Sequence, residues 1–114
     1  AERVEQESAF ADVMVFESNH DVAMLRSGPY PEYLKKRILS TRGHLSNLET
    51  ARCLARMDKK CGMHVFLAHL SQHNNCPDLA LSTVEKVLEQ QGTRLDQDLF
   101  LHLAHPSDTV SFSL

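Results

Sequence analysis

Two short, continuous apolar runs constrain this chain more than any other feature. They are Val13-Met14-Val15-Phe16 and Val65-Phe66-Leu67-Ala68. Unbroken apolar runs of this kind suit strands covered on both faces. The first strand is expected over Ala11–Ser18 and the second over Met63–Leu67. Each leads into a polar segment that carries a histidine: Glu17-Ser18-Asn19-His20-Asp21 after the first, and His69-Leu70-Ser71 running on to Asn74-Asn75 after the second. A third such segment, Gly43-His44-Leu45-Ser46-Asn47, precedes a helix. Junctions of this type are where α/β hydrolases keep their chemistry.

The rest of the pattern is helical between the runs. Ser27-Gly28-Pro29-Tyr30-Pro31 is a turn and breaker cluster, and Pro31 suits the first helical position. Leu34 and Ile38 share a face there, with Lys35, Lys36 and Arg37 mostly outside. Ser46 and Glu49 have capping-box spacing, followed by an expected buried stripe of Leu48, Ala51, Leu54 and Ala55. That helix is expected to end near Lys59-Lys60-Cys61-Gly62. Pro77 and Asp78 open a further helix with Leu79, Ala80, Val84, Val87 and Leu88 on its apolar face, and Gly92 closes it. Leu99–Ala104 and Val110–Leu114 read as strands joined by a turn at His105-Pro106-Ser107-Asp108. The expected order is strand, helix, helix, strand, helix, strand, strand, an α/β arrangement.

A chain of 114 residues is one small domain or part of a larger one. No apolar run approaches the roughly 20 residues that span a bilayer. The charged start, Ala1-Glu2-Arg3-Val4-Glu5, is unlike a signal peptide, and the lack of an initiator methionine suggests a start inside a longer product. The net charge of −3 does not advertise nucleic-acid binding. Cys53, Cys61 and Cys76 lack CxxC spacing, which argues against a disulfide framework or zinc finger. Reduced cysteines and a cytoplasmic location follow as the simplest expectation.

Three candidates stand out. His69 follows an apolar strand at its carboxyl end, where ligands gather in α/β sheets. A neutral imidazole there can ligate zinc, with Ser71 or Asn74 hydrogen-bonding around it; a capped structural histidine is the alternative. His44 lies between a glycine and a helix start. As a general acid it needs a carboxylate to hold its proton, and Glu17 and Asp21 are the candidates. Glu17 itself, at the end of a buried strand, calls for a partner such as His44, or for an edge position facing solvent. His64, His73, His102 and His105 carry weaker signals. The sequence contains neither HxHxDH nor HExxH. His20, Asp21, His44 and His69 form a self-contained site only if the fold brings them together.

Taken together, five blocks resemble the YycJ-like (WalJ-like) branch of metallo-β-lactamase-fold hydrolases. They are Glu17-Ser18-Asn19-His20-Asp21 with Met24-Leu25, Gly28-Pro29-Tyr30-Pro31, Leu34-Lys35-Lys36-Arg37-Ile38, Gly43-His44-Leu45-Ser46-Asn47, and Leu67-Ala68-His69-Leu70-Ser71 with Asn74-Asn75 and Pro77. The resemblance is close over residues 10–80 and looser beyond.

The resemblance implies an αββα sandwich, with residues 1–114 forming its carboxyl-terminal half. His69 would match the last metal-binding histidine of the superfamily. His44 resembles the histidine of the GHST-like loop in ribonuclease Z enzymes, and Glu17 the glutamate of their HEAT-like motif. The pair would assist proton transfer to the leaving group. His20, Asp21, Ser71 and Asn74 would lie around the substrate or behind the ligands. The implied chemistry is phosphodiester hydrolysis of DNA or RNA with two zinc or manganese ions, of which this chain supplies about one ligand. The HxHxDH segment and the remaining ligands would precede Ala1, so the chain alone is expected to be inactive and to need its amino-terminal half as partner. A lactamase-type or thioester hydrolase, and a non-catalytic interaction module on the same fold, are the competing readings. Homo-oligomerisation stays open. Lys35, Lys36, Arg37 and Arg42 are a candidate phosphate-contacting cluster, or else a solvated helix face.

Overall fold

A computed structural model of the chain describes residues 12–40 and 43–104. The elements run β1 (Val13–Glu17), α1 (Val22–Ser27), α2 (Glu32–Leu39), α3 (Asn47–Arg56), β2 (Met63–Ala68), α4 (Pro77–Gln90) and β3 (Leu99–Leu103). The strands form a parallel sheet in the order β1-β2-β3. Parallel neighbours need a crossover. The three helices α1 to α3 make the first and α4 the second, so all three carboxyl ends lie along one edge. Among the described residues, no helix is long and apolar enough to cross a membrane.

One face of the sheet is a core. Met14, Phe16, Met63, Val65, Leu67 and Leu99 point into it, and α3 and α4 close it with Ala51, Leu54, Ala80, Val84 and Leu88. Truncating a fully buried leucine here, such as Leu54→Ala, should cost about 2–5 kcal/mol. The opposite face is open among the described residues, which corrects the expectation that β1 is covered on both sides. Alternation and register set Val13, His64 and Phe100 in one row there, and Val15, Phe66 and His102 in the next. Val15 is 48% exposed. His64 stacks on Phe100 and His102 at 4.7 and 5.1 Å, and Phe66 on His102 at 4.6 Å. Both rows are rich in apolar and aromatic side chains, which is why the runs read as unbroken.

Other expectations shift by a turn or a face. The six-residue α1 falls in a stretch read as irregular; Asp21 starts it by accepting a hydrogen bond from the Met24 N–H. Pro31 is the residue before α2 rather than its first. Lys35 is buried and donates to the Arg26 carbonyl at 2.7 Å, so it is a tether and not an outward charge. The capping box of α3 forms as expected, but its buried side is rotated to take in Asn47 and Thr50, leaving Leu48 and Ala55 at the margin. The helix ends early, at Arg56. Lys59 then folds back to donate to the Leu54 and Met57 carbonyls at 2.6 and 2.9 Å. Burial holds the Lys59 ammonium below its ordinary range. The expected strand Val110–Leu114, the His105 turn, Arg42 and the first eleven residues lie outside the described residues.

Candidate functional site

The segment after β1 is the hub of the carboxyl edge. It runs between two loops and bonds to both: Asn19 N–H to the Leu45 carbonyl at 2.9 Å, Asn47 N–H to the His20 carbonyl at 2.8 Å, Ser71 N–H to the Asn19 carbonyl at 2.7 Å, and Asp21 N–H to the Asn74 carbonyl at 2.8 Å. The three histidine-bearing segments are thereby stitched together.

Beneath them lies a buried amide network. Ser18 donates its hydroxyl to Asn47 Oδ1 at 2.6 Å. Asn47 Nδ2 donates to Asn75 Oδ1 at 2.9 Å, and Asn75 Nδ2 reaches the Ser18 and Asn19 carbonyls at 2.9 and 3.1 Å. Thr50 donates to the Glu17 carbonyl. Buried amides satisfied in this way fix loop positions that backbone bonding alone leaves soft. Their positioning role was not legible in the sequence, because a polar residue in the first turn of a capped helix ordinarily faces solvent.

Glu17 is the last residue of β1, and its carboxylate stands at the sheet edge. Oε1 lies 2.8 Å from His44 Nδ1 and accepts the Leu45 N–H at 3.0 Å. Because an ionised carboxylate only accepts, His44 must carry a proton on Nδ1, which leaves Nε2 for a substrate. The other oxygen, Oε2, lies 3.6 Å from His69 Nδ1. One carboxylate therefore stands between two imidazoles that come from different loops. The His44 side chain is 56% exposed and that of His69 is 76% exposed, against 26% for Glu17. Gly43 makes the close approach possible, since a Cβ there would run into the Ile38 carbonyl at the end of α2.

His69 follows the last residue of β2 with φ of +58°, a left-handed conformation that non-glycine residues avoid. Its carbonyl is held by Asn19 Nδ2 at 2.9 Å. Such backbone conformations concentrate at functional sites. The donor chemistry, an exposed imidazole beside a carboxylate at a sheet edge, suits one ligand's share of a zinc or manganese site. Among the described residues, no group of three or more His, Cys, Asp or Glu side chains stands close enough to hold a metal ion.

The remaining candidates are placed differently. His20 is 1% exposed, with Nδ1 at 3.3 Å from Asn19 Oδ1 and no partner for Nε2 among the described residues. Burial pushes its imidazole below the ordinary range, with the Glu49 charge opposing. Asp21 caps α1. Ser71 accepts the Asn74 N–H at 3.1 Å. His64 and His102 meet on the open sheet face, 2.8 Å apart between Nδ1 and Nε2. Beside His44, between α2 and the Ser71–Asn74 loop, opens a cavity of about 520 Å³.

Comparison with known proteins gives consistent relatives. The chain is 44% identical over 96 residues to an exodeoxyribonuclease YycJ of Bacillus anthracis, covering 84% of this chain and 36% of that protein. It is 40% identical over 101 residues to the exodeoxyribonuclease WalJ of Streptococcus pneumoniae, in strains D39 and R6, covering 89% of this chain and 37% of that protein. The chain thus spans a little over a third of the length of the curated relatives it matches. No family model and no solved structure matches it.

Proposed function

We propose that this chain, whose curated homologues are the YycJ and WalJ exodeoxyribonucleases, is the carboxyl-terminal part of a metal-dependent DNA hydrolase. In this reading the open face of the sheet receives a second sheet from the rest of the longer protein, completing an αββα sandwich. The apolar and aromatic rows at Val15, Phe66 and Phe100 support that packing, since so large an apolar face is unusual on a finished surface.

The observation that carries the proposal is the Glu17–His44 pair at the carboxyl edge of a parallel sheet. Glu17 Oε1 accepts from both His44 and the Leu45 backbone, so the imidazole is held in one orientation. Protonated His44 gives its Nε2 proton to the oxygen leaving phosphorus. The net reaction adds one water: its hydroxyl bonds to phosphorus as the P–O bond to the leaving sugar breaks, and the leaving oxygen takes the proton. The water's other proton passes to solvent, from which His44 is recharged. His69 supplies one ligand, and the remaining ligands come from the longer protein. Bound there, zinc or manganese would supply charge neutralisation at the phosphate and activation of the attacking water.

The test is alanine substitution in the full-length protein, with exonuclease turnover and bound metal measured on the same samples. His69→Ala should lower metal content. His44→Ala should keep the metal and slow turnover by about 10²–10⁴-fold. If neither substitution changes metal or turnover, the chain is an interaction module on the same fold.

A further inference from the structure

We infer that the cavity beside His44 is a subsite for a single nucleotide, the one that carries the leaving oxygen. The inference rests on the phosphodiesterase reading above and adds what the site would hold.

A nucleotide asks three things of a protein: an apolar platform for the flat base, polar groups for its edge, and a cation for the phosphate. The cavity presents all three. Tyr30, Leu34 and Ile38 make an apolar wall. Leu34, Ile38 and Arg37 recur at helical spacing on α2, so they share the face that looks into the cavity. Tyr30 sits in the turn before α2, its ring 6.2 Å from that of His73 and tilted by 57°. The Arg37 guanidinium is exposed at the same wall. Across from it stand Ser71 and Asn74. Asn74 is 1% exposed, and its Oδ1 has no hydrogen-bond partner among the described residues. A buried amide left partly unsatisfied is costly, and a ligand in the adjoining space would give the Asn74 and Ser71 side of the cavity its polar complement.

Size and position fix which nucleotide it is. About 520 Å³ falls within the roughly 300–1,000 Å³ of small-ligand pockets, the scale of one nucleotide and not of a duplex. His44 lines the same cavity, and a general acid must lie within hydrogen-bond reach of the oxygen it protonates. The sugar that bears that oxygen therefore enters here with its base against Tyr30. Arg37 meets the next phosphate along.

The experiment is binding of a short fluorescent single strand to the full-length protein in chelator, where cleavage is stopped, alongside turnover with metal. Two strands are compared, one with a normal terminal nucleotide and one with an abasic terminus. Tyr30→Ala should weaken binding of the normal strand by about tenfold or more, the loss expected when an aromatic platform under a base is removed. Tyr30→Phe should restore it, and the penalty should shrink on the abasic strand. Arg37→Gln should weaken both strands and reduce the salt slope by about 0.7, one phosphate's worth for a single strand. A Tyr30→Ala penalty equal on both strands, or absent from both, overturns the subsite even if DNA is cleaved. The expected binding pattern in a protein that never cleaves DNA would uphold the subsite while the hydrolase reading fails.

Discussion

Glu17 and His44 lie 27 residues apart in sequence, and Glu17 Oε1 sits 2.8 Å from His44 Nδ1. The same carboxylate reaches toward His69 from its other oxygen, at 3.6 Å. A carboxylate in this position orients one imidazole and adds negative charge beside the second.

Glu17→Gln keeps an oxygen for the Leu45 N–H but removes the charge. Its amide can also turn its NH₂ toward His44 and favour the wrong tautomer. Turnover in the full-length protein should fall by about tenfold or more, part of the 10²–10⁴ a positioned proton donor contributes. KM for the strand should change little, because Glu17 faces the imidazoles and does not line the cavity. Steady-state kinetics that show a raised KM and an unchanged kcat would contradict the orienting role.

Acid should destabilise the fold through His20. Its folded-state pKa lies below the ordinary value of 6.5, mainly because of burial. Between those two values the unfolded chain binds the proton and the folded chain does not, so stability falls as pH drops through 6.5 and levels off below the folded value. Urea midpoints taken at descending pH should show this loss, and His20→Asn should flatten that part of the slope. An unchanged slope in the variant would assign the acid sensitivity elsewhere.

Asn75→Ala should destabilise by about 2–3 kcal/mol, since it strands the Asn47 amide and the Ser18 carbonyl in a buried setting. Asn47→Ala should cost a similar amount. The double variant should cost less than their sum, because the two side chains share one network. Thermal unfolding of the four proteins closes the cycle, and strict additivity would mean the network is not coupled.

Val15→Glu should act in opposite directions in two settings. On the 114-residue chain alone it should reduce self-association, because it places a charge on the open apolar face. In the full-length protein it should destabilise, because that face is proposed to be buried. Sedimentation of the isolated chain and unfolding of the full-length protein read the two effects. A variant that is neutral in both settings would argue against the second sheet.

Features set by local chemistry were legible in the sequence. The Ser46–Glu49 capping box forms, and Gly62 and Gly92 take positive φ at the expected breaks. The need of Glu17 for a partner was legible as well, because a carboxylate ending an apolar strand must be compensated. What was not legible depends on tertiary packing. The short α1 lacks the repeated apolar spacing that marks a longer helix. The face of α3 turned toward Asn47 and Thr50 because their partners lie 28 and 33 residues away, at Asn75 and Glu17. Lys35 reads as a surface charge until Arg26 offers it a carbonyl. Tyr30 reads as part of a breaker cluster and becomes a cavity wall only once α2 is placed.

The most direct test of the central claim uses a strand whose scissile leaving oxygen is replaced by sulfur. A thiolate leaves without needing a proton. If His44 is the general acid, His44→Ala in the full-length protein should lose about 10²–10⁴-fold on the ordinary strand and far less on the sulfur-bridged one. Equal losses on both strands would show that His44 does not protonate the leaving group, and the Glu17–His44 pair would then be structural.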